Sequence, residues 1–144
     1  MYALENSYLQ FRQPTIVTRQ LLELAERRAT DLGDLRRRAR AIQALGDVHR
    51  MLAEYDQARA RYEEARPVYA SIGARPGLSN VLFRLGQIAW QEGDLAGAEP
   101  LLAGAVELNN QFAPGGSVTR YFTEQLAALR AELSAAHPPP AAQD

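Results

Sequence analysis

The sequence predicts an all-α fold built from repeated helix-turn-helix units, and three observations carry that prediction. The chain matches itself at an offset of 40 residues: Leu45-Gly46 falls on Leu85-Gly86, Ala58 on Ala98, Tyr62 on Leu102 and Ala65 on Ala105. The same shift brings Ile72-Gly73 back onto Leu32-Gly33 and Ala65 onto Ala25, so three copies share one period. Within each copy, apolar residues recur at helical spacing, as Ile42, Leu45 and Val48 do in one and Leu82, Leu85 and Ile88 in the next. A short turn carrying an acid then separates each such run from a second one.

Taken in order, residues 1–14 read as a degenerate first helix, with Glu5-Asn6 where the other copies carry Leu-Gly. Tyr2, Tyr8 and Phe11, with Leu4 and Leu9, exceed what one such helix needs to bury, and homo-oligomerisation through this end would cover them. Residues 15–109 form the repeat core. Its first full unit sets Ile42, Leu45, Val48 and His49 against Ala58, Tyr62, Ala65 and Val68. The second sets Leu82, Leu85, Ile88 and Ala89 against Ala98, Leu102, Ala105 and Leu108. The turns Ala53-Glu54-Tyr55-Asp56 and Gly93-Asp94-Leu95-Ala96 offer carboxylates to the free N–H groups of the helix that follows. Gly46, Gly86 and the paired alanines mark close helix crossings, where a larger side chain would push the helices apart.

Residues 110–136 read as a linker and a capping helix. The run Ala113-Pro114-Gly115-Gly116 is a flexible linker with Ser117 as N-cap, and the helix extends from about Ser117 to Ala135. Phe122, Leu126, Leu129 and Leu133 form one apolar stripe, with Arg120, Glu124, Arg130 and Glu132 away from it, as the end of a repeat stack requires. Residues 137–144 are too short and polar to pack and read as a disordered tail.

Composition narrows the function. Cysteine is absent, which excludes disulfides and thiolate metal sites. His49 and His137 lie far apart, so no histidine pair has metal-ligand spacing, and no metal or other cofactor is implied. The start lacks a basic segment followed by an apolar run, and no stretch approaches the roughly 20 apolar residues of a membrane span. The expectation is a soluble cytoplasmic protein with no membrane partner. Every one of the 16 basic residues is arginine, the mark of a GC-rich genome more than of chemistry. Residues 1–66 hold 12 arginines against 10 acids and residues 67–144 hold 4 against 7. That polarity could orient a partner or a second copy, but it is too weak to imply nucleic acid.

The pattern Leu45-Gly46, Tyr55, Ala58, Tyr62, Ala65, repeated as Leu85-Gly86, Leu95, Ala98, Leu102, Ala105, resembles the tetratricopeptide repeat family. The 40-residue period, with its extended segment Leu32-Gly33-Asp34-Leu35-Arg36, looks like the longer repeats of kinesin light chains and of bacterial signalling regulators. The resemblance implies a short right-handed α-solenoid that binds a protein or peptide on its concave face and catalyses nothing. It also implies groove-facing positions at Arg40, Gln43, Asp47 and Arg50 in one repeat and at Asn80, Phe83, Gln87 and Trp90 in the next. The family's clamp for a terminal carboxylate is not supported, because Gln43, Phe83 and Asp47 replace its basic and polar groups. Only Arg40, Arg50 and Arg84 could meet a carboxylate, so a peptide with both acidic and apolar residues fits better.

Phe83 and Trp90, at i and i+7, are surplus to a helix whose core face is already supplied by Leu82, Leu85, Gly86 and Ala89. They are either an aromatic anchor for a partner or packing against the C-terminal helix or a second copy. The arginines Arg27, Arg28, Arg36, Arg37, Arg38 and Arg40 are interleaved with Glu23, Glu26, Asp31 and Asp34, which favours a salt-bridged helix face over phosphate binding. The Gly115-Gly116-Ser117 run lacks the Gly-Lys ending of a nucleotide loop. His49 reads as a core or groove-edge residue, and Glu63-Glu64 as salt-bridge partners of Arg59, Arg61 and Arg66. The functional expectation is an adaptor or scaffold; self-assembly and a peptide-sensing regulatory module are the alternatives.

Overall fold

The computed structural model describes residues 2–141, with side chains from residue 15 onward. Six helices follow one another among them: α1 (Tyr2–Leu32), α2 (Leu35–Met51), α3 (Tyr55–Ser71), α4 (Arg75–Gln91), α5 (Leu95–Phe112) and α6 (Ser117–Ala136). No strand interrupts them among the described residues, so the expected all-α class is the observed one.

The turns are as periodic as the helices. Gly33, Ala53, Gly73 and Gly93 all have positive φ, at 67°, 58°, 65° and 84°. At three of these turns the next N–H reaches back five residues, from Asp34 to the Ala29 carbonyl, Glu54 to His49 and Asp94 to Ala89, at 2.9 Å each. This is the Schellman ending, which satisfies carbonyls that the last helical turn leaves free. Ala53 holds that conformation with a Cβ, at a cost of about 1–2 kcal/mol.

Two of the acids do cap helices. Asp34 Oδ1 accepts from the Arg37 N–H at 3.1 Å and Asp94 Oδ1 from the Gly97 N–H at 2.9 Å. Glu54, expected to cap likewise, makes no such bond. Its longer side chain turns instead toward His49, with Oε1 3.7 Å from Nδ1.

After Gly73 the chain divides into two compact units. In the first, α2 packs on both α1 and α3. Ile42, Leu45, Ala58, Tyr62 and Ala65 are fully buried there. A Cβ on Gly46 would lie 2.7 Å from the Tyr62 ring, so this glycine is where α2 and α3 touch. In the second unit α5 packs on α4 and on α6. Gly86 repeats the device, with Leu102 at 2.8 Å from a hypothetical Cβ. Phe122, Leu126 and Leu129 bury the α6 stripe, with Leu133 partly covered beside them.

Three expectations are corrected. Helix α1 runs without interruption through the boundary placed at residue 14. The linker is a compact turn: Gly115 takes φ 73°, the Gly116 N–H bonds the Ala113 carbonyl at 3.1 Å, and the Thr119 hydroxyl donates to the same carbonyl at 2.7 Å. Gly116, not Ser117, occupies the cap position, because that carbonyl and Thr119 already close the turn. The residues from His137 to Ala141 are outside any helix, and the rest of the expected tail lies outside the described residues. The side chains of Tyr2, Tyr8 and Phe11 lie outside them too.

Candidate partner-binding surface

In the first unit, Arg40, Gln43, Asp47 and Arg50 follow one another at steps of three and four residues, which aligns them along one side of α2. Two of the four are held by the neighbouring helix. The Tyr69 hydroxyl of α3 donates to Gln43 Oε1 at 2.6 Å, and the Tyr62 hydroxyl donates to Asp47 Oδ1 at 2.5 Å. Both tyrosine rings are buried and only their hydroxyl ends reach the polar row. Burial, then the acceptance of its proton by Asp47, holds the Tyr62 hydroxyl well above the ordinary tyrosine range. Burial also raises Tyr69, against the opposing field of Arg40 and Arg36 and with the support of Asp47. Arg40 is exposed and Arg50 half-buried at the two ends of the row.

The sequence reading assigned Tyr62 to the core alone and did not single out Tyr69. The signal was present: Tyr62 and Tyr69 stand where the next copy has Leu102 and Asn109. Tyrosine in place of leucine brings a hydroxyl that needs a partner when buried, and the facing helix supplies polar Gln43 and Asp47 at the matching heights.

In the second unit the expected residues separate. Phe83 is 2% exposed. Its ring stacks on Phe122 of α6, with centroids 3.9 Å apart and planes 8° from parallel, and meets Tyr121 at 5.6 Å. The anchor reading of Phe83 is therefore corrected in favour of packing against the C-terminal helix, since a ring enclosed on this scale has no free face for a partner. Trp90 is half-buried against the same cluster, and its indole N–H donates to Glu132 of α6. Arg84 Nη1 donates to Gln87 Oε1 at 3.0 Å, a step of three residues along α4. Asn80 lines a cleft of about 340 Å³ with Asn109, Phe112, Val118 and Phe122.

Beneath Asn80 lies a buried polar chain. The Ser79 hydroxyl sits 2.7 Å from Asn109 Oδ1 and 3.0 Å from the Ala105 carbonyl, either of which can accept its proton. Asn109 Nδ2 donates to Thr119 Oγ1 at 3.3 Å. This chain ties α4, α5 and α6 together and leaves Ser79 partnered, as a buried hydroxyl requires.

Among the other charged clusters, Glu63 and Glu64 form the expected helix salt bridges with Arg66 and Arg61, whereas Arg59 pairs with Asp56. Among the described residues the arginines from Arg27 to Arg40 are salt-bridged at Arg37 alone, which corrects the reading of that cluster as a salt-bridged face. Arg61 Nη1 lies 3.3 Å from Glu64 and from Glu26 of α1, Arg66 lies 3.7 Å from Glu63 and Arg37 lies 3.4 Å from Asp34. His49 is mostly enclosed at the end of α2. Among the described residues no group of acids and histidines could hold a metal ion, and no helix is long and apolar enough to cross a membrane.

Comparison with known families finds one match. The family model described as Tetratricopeptide repeat matches residues 38–111, just over half of the chain and the span of α2 to α5. No curated protein matches the chain. Repeats of this family generally mediate protein–protein interaction, and their fold is typically a non-enzymatic adaptor.

Proposed function

Because the chain belongs to the tetratricopeptide repeat family, we infer that it is an adaptor which holds a segment of a partner protein against the first helices of its repeats. The observation that supports this is the polar row of α2. Gln43 and Asp47 are fixed by the two tyrosine hydroxyls, so their positions are set before a partner arrives and little ordering entropy remains to be lost. Arg40 and Arg50 flank them as cations, which suits a segment carrying carboxylates, and Asp47 disfavours an acid placed directly over it. In the second unit, taken by itself, Asn80, Arg84 and Gln87 are polar groups of α4 suited to contact with a partner, and Trp90 offers a half-covered apolar edge. The 40-residue period favours kinship with the longer repeats of kinesin light chains and bacterial signalling regulators.

The test is capture from a lysate of the source organism by immobilised wild-type protein and by an Arg40→Ala/Arg50→Ala double variant of unchanged helicity. A protein retained by the first and lost from the second is the expected result. Capture that ignores both arginines would defeat this reading. Self-assembly is the second reading, and the exposed Val17, Leu21, Leu24 and Leu32 of α1 favour it. It requires a solution mass that rises with protein concentration.

A further inference from the structure

Two pairs of helices in this chain stand in the same relation, eighty residues apart: α1 with α2, and α5 with α6. In the second pair, the surface that the two helices form together is covered by α4. Leu102 and Ala105 of α5 are fully buried in that cluster, Asn109 is 3% exposed, and Phe83 of α4 lies on Tyr121 and Phe122 of α6. Shifted back by eighty residues, these positions are Leu22, Ala25, Ala29, Ala41 and Ile42.

In the first unit that surface is an open groove of about 510 Å³, lined by Leu22, Ala25, Ala29, Leu32, Ala41 and Ala44. Leu22 is half-exposed and Ala25 exposed, whereas their counterparts in α3 (Tyr62 and Ala65) and in α5 (Leu102 and Ala105) are fully buried. Ala29, Ala41 and Ile42 are buried between α1 and α2 themselves, so it is Leu22 and Ala25, covered twice elsewhere in this chain and uncovered here, that mark a face with no helix across it. The internal repeat also says what kind of helix covers them: one like α4, with a small residue over the crossing and an aromatic set against the second helix.

The rim supplies the rest of the description. Arg28, Arg37 and Arg40 border the groove, where the covered pair has Leu108, Ser117 and Arg120. Among the described residues neither Arg28 nor Arg40 forms a salt bridge, and Arg37 has only Asp34, at 3.4 Å. The nearby acids Glu23, Glu26 and Asp31 line a different hollow together with Arg61. A groove with an apolar floor and a cationic rim complements an amphipathic helix with acids on its flank. Helix α4 itself carries no acid, so a second copy of it is a poor match for that rim.

We propose that the groove between α1 and α2 is the docking site for an acidic amphipathic helix of a partner protein, which takes the place that α4 takes on α5 and α6 and so completes a repeat in trans. This rests on the adaptor reading and names the segment that is held. Alanines on the floor allow close approach of the incoming backbone, as Gly46 and Gly86 do inside the chain.

The probe is a fluorescently labelled 17-residue peptide with the α4 sequence carrying Pro76→Glu, Asn80→Glu and Gln87→Glu. Pro76 and Asn80 line a cleft with Ser117, the counterpart of Arg37, so the new acids would meet the cationic rim. Its twin carries lysine at the same three positions. Anisotropy titrations on the full chain are expected to show the glutamate peptide binding about tenfold more tightly than the twin. Ala25→Trp, which fills the groove from an exposed position, and Arg28→Glu/Arg40→Glu, which reverses the rim, are each expected to weaken binding by about tenfold or more.

Equal affinity for the two peptides, or binding unchanged in both variants, overturns the proposal. So does binding that appears only after residues 1–13 are deleted, which would make the chain's own segment the occupant. So does an oligomer that Ala25→Trp dissolves, which would make the occupant a second copy. The two readings fail separately. A lysate partner lost with Arg40→Ala/Arg50→Ala but kept with Ala25→Trp leaves the adaptor standing and removes the groove, whereas no partner at all removes the adaptor.

Discussion

Where α2 presents Gln43 and Asp47 to the tyrosine hydroxyls of α3, α4 presents Phe83 and Gln87, and α5 faces it with Asn109 and Leu102. The two hairpins share helix lengths to within one residue, turn geometry and a glycine at the crossing. They differ in what closes the seam. The α2–α3 hairpin is sealed by neutral donors on charged or amide acceptors, so its outer row stays polar. The α4–α5 hairpin is sealed by leucine and a buried serine–asparagine pair, and its aromatic is enclosed by α6. One backbone plan thus yields a polar surface in one copy and a packing surface in the other. The choice lies in a handful of side chains at matched positions.

The largest expected effect separates the hairpins by their aromatic. Phe83→Ala removes the ring stacked on Phe122 and is expected to cost about 3–5 kcal/mol in urea unfolding. Gln43→Ala, the matched change, loses one hydrogen bond and is expected to cost about 1 kcal/mol. Comparable losses would mean that α6 contributes little to the second unit.

The crossing glycines sharpen the comparison. Alanine at 46 meets a tyrosine ring tethered through its hydroxyl to Asp47, while alanine at 86 meets the untethered but buried side chain of Leu102, with Leu101 Cβ 3.3 Å away. Overpacking costs about 1–3 kcal/mol, and replacing a helical glycine returns about 1 kcal/mol. Both changes are therefore expected to destabilise, Gly46→Ala more than Gly86→Ala, by thermal melting. The reverse order would show that the Tyr62 ring gives way.

A pH experiment addresses the polar seal alone. The Tyr62 hydroxyl is held above its ordinary value of 10.0 in the folded chain. Above that pH the unfolded chain has lost this proton while the folded chain keeps it, so stability falls as pH rises. Its contribution is fully present below pH 10 and declines above it. In Tyr62→Phe this part of the decline is expected to vanish, and an alkaline profile unaffected by the substitution would remove Tyr62 from the account.

The smallest effect lies in the turns. Asp94→Ala is expected to cost about 1 kcal/mol through the lost cap, and Glu54→Ala almost nothing by that route. Circular dichroism melts of the two variants would distinguish them.

Much of this architecture was legible because it is local or periodic. The offset that pairs Leu45-Gly46 with Leu85-Gly86 located α2 to α5, and the stripe from Phe122 to Leu133 located α6. What escaped depends on partners distant in sequence. Phe83 is enclosed by Phe122, which lies beyond two turns, so spacing within α4 left packing on the C-terminal helix and a partner anchor as equal readings. Gln43 and Asp47 were placed on a surface, but their tethering needs Tyr69 and Tyr62 from the next helix. Ser117 looked like a cap because serine favours that role, yet Thr119 and the Ala113 carbonyl had already settled the turn. The open groove was invisible for a further reason: Ala25 matches Ala65 and Ala105 in sequence, and only exposure tells the covered alanines from the bare one.

The left-handed residues at 33, 53, 73 and 93 divide the chain like the marks on a ruler graduated in twenties. A second copy of residues 34–73 inserted after Gly73 would leave a left-handed glycine at each seam. Such a chain grows by copying whole helix pairs, and a lineage that needs a longer surface can obtain one by duplication without redesigning a single joint.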